Sequence, residues 1–204
     1  MPLSRRTSLN ALTLVELLIV LSLAAVLVAL LTSVIHSGRS RVQMAQCQAN
    51  LRQIGIALHA CINDTGRVPV YRDEEGPWYR ALDPYLGWGT WPRNFPLSRC
   101  PAERENEPFS TYGLNSEYNG TRITEIAQPS RAFAVGDSDH TAGSYIRIPP
   151  TIEKQISFRH QHRANLLFLD GHVEARRPEQ IPRDTSTATK KQEYLLFWKP
   201  MVRQ

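Results

Sequence analysis

The sequence predicts an α+β fold: a long N-terminal helix, apolar then amphipathic, packed by a small antiparallel β-sheet with long loops. Three observations predict it. An apolar run of about two dozen residues sits near the N-terminus, a helical stripe of apolar positions follows it, and the remaining chain is loop-rich with short strand and turn signals.

The apolar run comes first. Fourteen of the fifteen residues from Leu17 to Leu31 are apolar, and 12–35 carries a single charge, Glu16. A helix of that length rises about 36 Å, more than the ~30 Å of a bilayer core, so 12–35 is expected to be a transmembrane helix. With mean hydropathy at −0.34, a polytopic membrane protein is excluded, and an apolar fraction of 42% excludes a disordered chain. No good cleavage site follows the run, so it does not read as a removed signal peptide. Arg5 and Arg6 before it and Arg39 and Arg41 after it leave its orientation open. Glu16 is costly in such a segment. Either it meets the helix dipole near the helix start, or it has a cationic partner.

Past Gly38 the pattern becomes amphipathic. Cys47, Leu51, Ile54, Leu58 and Cys61 recur at steps of four and three, while Gln46, Gln48, Arg52 and Gln53 fall off that stripe. Asn63-Asp64-Thr65-Gly66 ends the helix, with Pro69 beyond it. The organisation expected is therefore a short basic segment 1–11, a 12–35 span, a 36–63 amphipathic continuation and a 64–204 folded domain. Cys47 and Cys61 lie about 21 Å apart along the helix axis and cannot bond each other. Either can reach Cys100. Cys47–Cys100 is the pairing favoured, with three free thiols as the alternative.

The rest reads as sheet and loop. Trp78 to Leu86 suits a short helix among prolines, and 132–135 suits a strand. Tyr118-Asn119-Gly120-Thr121 and Leu169-Asp170-Gly171-His172 read as two-residue hairpin turns. The second lies between apolar 164–169 and a returning strand from His172. Residues 182–191 are polar and read as a flexible loop, with 194–198 docking as a last strand or apolar plug.

The residues around Glu16 resemble a known signal. Ala11-Leu12-Thr13-Leu14-Val15-Glu16-Leu17-Leu18, after a short basic leader, is similar to the type IV prepilin cleavage and methylation signal, with Ala11 and Leu12 where that pattern has Gly and Phe. The resemblance implies cleavage between Ala11 and Leu12 by prepilin peptidase and methylation of the Leu12 amine. It implies that Glu16 pairs with the N-terminal amine of a neighbouring subunit during assembly. It also implies a pilin-like spine, a single-pass inner-membrane location and a periplasmic or extracytoplasmic C-terminal domain. The partners it implies are other pilin-like subunits, the inner-membrane assembly platform and membrane lipid. Cys47-x-x-Asn50-Leu51-Arg52-Gln53-Ile54-Gly55-Ile56-Ala57-Leu58, Cys100-Pro101 and Pro129-Ser130-Arg131 are similar to a pseudopilin-like subfamily. That subfamily carries an H-X9-DG signature, here His160, Asp170 and Gly171.

The function implied is a pseudopilin-type structural subunit of a type II secretion-like filament. A tethered module binding a metal, glycan or exported protein is the alternative. No G-x-S-x-G, H-E-x-x-H or P-loop pattern occurs, so no enzyme and no cofactor are expected. The 20 Arg and 4 Lys are scattered, which predicts no nucleic-acid partner. His160, His162 and His172 are weak candidates for a metal site, with His160 and His162 alternating on one strand face. Structural pinning of a hairpin by His160 is the competing role. Asp137-Ser138-Asp139-His140 is a second acidic cluster.

Overall fold

The computed structural model describes residues 13–70, 77–86, 97, 99–103, 110–139, 145–147, 155–183 and 185–199, with side chains of 31–37 excepted. The chain divides into two compact units, Met1–Arg39 and Ser40–Gln204. The second takes in the amphipathic stretch of the long helix.

Helix α1 is Leu14–Thr65. Within the first unit its large apolar side chains from Leu14 to Leu30 are 50 to 79% exposed. Among the described residues no helix is long and apolar enough to cross a membrane. This corrects three expectations: the transmembrane-plus-amphipathic spine, the 12–35 span and the single-pass inner-membrane location.

In the second unit the five stripe positions Cys47, Leu51, Ile54, Leu58 and Cys61 are all buried. The helix ends where Gly66 takes φ +72 and its N–H donates to the Ile62 carbonyl at 2.7 Å, a left-handed cap that glycine adopts without strain. A single turn of 3₁₀ helix over Trp78–Leu82 runs into α2 (Asp83–Leu86).

The sheet has five strands: β1 (Tyr112–Asn115), β2 (Phe133–Asp137), β3 (Tyr145–Ile146), β4 (Ala164–Phe168) and β5 (Val173–Arg176). Their order is β3-β1-β2-β4-β5. The sheet is mixed, not antiparallel as expected, because β3 joins the edge parallel to β1. A two-residue strand carries too little pattern for a sequence to announce it.

Alternation along β4 makes two cores. Leu167 turns toward the α1 stripe with Leu114 and Val135. Leu166 and Phe168 turn the other way, onto Phe133, Phe197 and Trp198. The last two belong to α3 (Ala188–Trp198), which covers the second face. Of the two expectations for 194–198, a last strand or an apolar plug, the segment is no strand but the buried end of a helix, which begins inside the stretch expected to be a flexible loop. Thr187 caps it by accepting from the Lys190 N–H, and the helix-forming run from Ala188 to Glu193 outweighs the aromatic end. The Tyr118 hydroxyl donates to the Lys199 carbonyl and Asn115 to the Trp198 carbonyl, fastening the helix end.

Two turns also differ from expectation. Gly120 has φ +68 but follows a 3₁₀ turn over Ser116–Tyr118 and does not join paired strands. The β4–β5 connection is a three-residue loop, 169–171. Phe168 N–H donates to the His172 carbonyl, and Gly171, at φ +92, donates to the Phe168 carbonyl.

Candidate functional site

The second unit gathers four side chains of three chemical kinds at one buried point. Cys47 comes from α1, Cys100 from the loop before β1, Asp137 from the end of β2 and His160 from the turn before β4. None is more than 2% exposed. Cys47 and Cys100 are joined as a disulfide with Cα atoms 5.2 Å apart. Cys61 is free and buried.

His160 is positioned by a tight turn. Its N–H and carbonyl exchange hydrogen bonds with Arg163 at 3.1 and 3.0 Å, and Gln161 and His162 both have positive φ, 52 and 60. This is a type I′ turn, normally the place of Asn and Gly. The imidazole Nε2 then lies 3.1 Å from Cys100 Sγ and 3.6 Å from Asp137 Oδ2. A disulfide sulfur has no proton to give, so this contact needs an Nε2–H donor.

Asp137 is held from the adjacent strand. Its Oδ2 accepts from the Asn165 backbone N–H at 2.7 Å and from Asn165 Nδ2 at 3.1 Å. Burial raises its pKa to about 7, against the lowering effects of Arg159 and the two Asn165 hydrogen bonds. Burial, assisted by Arg159, pushes His160 down to about 4, so the imidazole is neutral at pH 7. Arg159 donates to the Ser138 carbonyl and pairs with Glu103.

A second ring of polar groups surrounds the pair of sulfurs. The Tyr112 hydroxyl donates to Cys47 Sγ at 3.1 Å and accepts from Asn50 Nδ2 at 3.4 Å. Burial and the Asp137 charge raise the Tyr112 pKa. Asn50 Nδ2 also donates to the Arg99 carbonyl, and Thr111 Oγ1 accepts from Cys100 N–H. The four ligand-type atoms of Cys47, Cys100, Asp137 and His160 lie within 4.8 Å of one another.

The other predicted site residues lie elsewhere. The metal grouping of His160, His162 and His172 does not form: His162 is an exposed corner of the turn, so the strand alternation expected for it is absent. His172 is exposed and stacks on Phe168 with ring centres 4.3 Å apart. Its Nδ1 meets Asp170 Oδ1 at 2.5 Å, and that same oxygen accepts from His172 N–H. Asp170 and Gly171 thus shape the hairpin loop and do not touch His160. A Cβ on Gly171 would meet His59 Nε2 at 3.1 Å. Glu16 sits in the first turn of α1, where Thr13 N–H and Oγ1 each donate to its carboxylate at 2.9 Å. Thr13 and Glu16 form a reciprocal cap. Ala11 and Leu12 lie outside the described residues, as does His140.

Sequence reasoning named Asp137 only as part of an acidic cluster, apart from His160, and gave Tyr112, Asn50 and Asn165 no role in a site. The available signal was the placement of Asp137 at the end of an apolar strand, where a carboxylate demands partners. Compared with family models, curated proteins and solved structures, the chain matches none.

Proposed function

We propose that this chain is a pilin-like subunit that assembles by packing its N-terminal helix against those of neighbouring copies, after trimming between Ala11 and Leu12 by a prepilin-type peptidase. One observation carries the reading. From Leu14 to Leu30 the large apolar side chains of α1 stand at least half exposed on every side of the helix, far beyond the apolar patch a solitary protein keeps in water. Other helices of the same kind would cover such a rod. Glu16 supports the same reading, because Thr13 fixes its carboxylate at the head of the rod. In the proposed assembly it would receive the amine of an adjacent chain and set the register of packing.

Two measurements test it. The intact mass of the purified chain should correspond to a start at methylated Leu12. Glu16→Leu should abolish assembly, scored by filament pelleting and cysteine cross-linking between helices, and leave the second unit folded. Normal assembly of Glu16→Leu, or a chain that begins at Met1 in the assembled state, would remove the proposal's support.

A further inference from the structure

The geometry points to a zinc-type cation site made by Cys47, Cys100, His160 and Asp137 when the Cys47–Cys100 bond is reduced. It does not depend on the assembly reading. Tetrahedral zinc takes sulfur at about 2.3 Å and nitrogen or oxygen at about 2.0–2.2 Å, which sets ligand atoms about 3–4 Å apart. Two pairs of ligand atoms already stand at that spacing, Cys100 Sγ to His160 Nε2 at 3.1 Å and Cys47 Sγ to Asp137 Oδ1 at 3.7 Å, and the other oxygen of the same carboxylate, Oδ2, lies 3.6 Å from His160 Nε2. The pair that must part is Cys47 and Cys100, and breaking their bond parts it.

The donor set fits the ion. Two thiolates, one imidazole and one carboxylate suit zinc better than magnesium or calcium. Four protein donors close the tetrahedron and leave no open position, which makes the site structural and not catalytic. Its supports are in place. Asn165 grips Asp137 Oδ2 twice, leaving Oδ1 toward Cys47. The Tyr112 hydroxyl stands 3.1 Å from Cys47 Sγ, ready to donate to a thiolate. With a divalent cation the four ligands carry one net negative charge, and the Arg159 guanidinium lies against the carbonyl of Ser138, next to Asp137.

The exchange balances. A dithiol reductant gives two electrons and two protons to the Cys47–Cys100 bond and becomes a disulfide itself. The cation then displaces the two thiol protons to solvent. Re-oxidation by a disulfide reverses the sequence and expels the ion, so bond and cation exclude one another.

The test uses the full chain in non-ionic detergent, reduced without oxygen by a phosphine and titrated with zinc or cobalt(II). The expected result is one ion per reduced chain and none per oxidised chain. The cobalt form should show tetrahedral ligand-field bands and thiolate charge-transfer absorption. His160→Ala should weaken binding by at least about tenfold, and His172→Ala should leave it unchanged. His160→Cys, which replaces one ligand by another, should keep one ion with stronger thiolate absorption even if His160→Ala does not fold. No uptake by the reduced protein, equal uptake by the oxidised protein, undiminished affinity in folded His160→Ala, loss in His172→Ala or no uptake by His160→Cys would each overturn the assignment.

Discussion

His160 Nε2 lies 3.1 Å from Cys100 Sγ, although the two residues are sixty positions apart. The contact ties the turn before β4 to the bond between α1 and the loop before β1. A ring that reads in the sequence as a weak metal candidate or a hairpin pin is a buried partner of the disulfide.

The bond itself should carry much of the stability of the second unit. Its cysteines are 53 positions apart, and cross-linking a loop of that size disfavours the unfolded chain by about 2–4 kcal/mol. Cys47→Ser combined with Cys100→Ser should lower the urea midpoint accordingly. A midpoint unchanged by the double substitution, with cation absent, would show that the bond adds nothing.

Asp137 and His160 should oppose each other in acid. Between about pH 4 and 6.5 the unfolded chain has released the Asp137 proton, whereas the fold keeps it up to about 7. Asp137 therefore makes stability fall as pH rises. Over the same interval the unfolded chain protonates His160, while the fold keeps it neutral down to about 4. His160 therefore makes stability rise with pH. Each slope is about 1.4 kcal/mol per pH unit, so the metal-free, disulfide-linked protein should be nearly flat there. Asp137→Asn should unmask a rise with pH and His160→Gln a fall, read from urea midpoints. Two variants sloping the same way would contradict the pairing.

The turn at 161–162 stores strain that glycine can release. Gln161 has φ 52, where an L side chain crowds its own carbonyl by about 1–2 kcal/mol. Glycine gives back part of that gain through its looser unfolded state. Gln161→Gly should raise stability by about 0.5–1 kcal/mol and Gln161→Val should lower it. Thermal melts of the two variants would check the ordering.

Gly55 should be coupled to Leu167. A Cβ at position 55 would stand 2.9 Å from Leu167 Cδ1, so α1 approaches β4 as closely as glycine allows. Alanine gains about 1 kcal/mol in helix propensity but must push a fully buried leucine aside. Gly55→Ala should be near neutral or destabilising in the wild-type protein. With Leu167→Ala already in place, which alone costs about 2–5 kcal/mol, the same change should stabilise. Additive effects across this double-mutant cycle would mean that the two residues do not touch.

Some of this was legible before any coordinates. The Cys47-to-Cys61 stripe declares itself because burial on one helix face imposes a period near 3.6. The apolar run before Asp170-Gly171 declares β4 in the same way. The α3 helix does not, because its buried end, 194–198, is rich in aromatic residues with strand propensity, and the Thr187 cap and the run from Ala188 to Glu193 tip it to helix. Asp137 was hidden for another reason. Asp137-Ser138-Asp139 reads only as an acidic cluster, and the burial of Asp137 goes with two hydrogen bonds from Asn165, a residue 28 positions away. His162 misled because alternation assumes a straight strand, and the turn beginning at His160 breaks it.

The interval between His160 and Asp170 has a geometric meaning. One turn closes at Arg163, five strand residues follow, and a second loop opens at Leu169. The spacing acts as a ruler for β4. A residue inserted or removed within it would exchange Leu167 with its neighbours Leu166 and Phe168. The side chains that fill one core would then be delivered to the other.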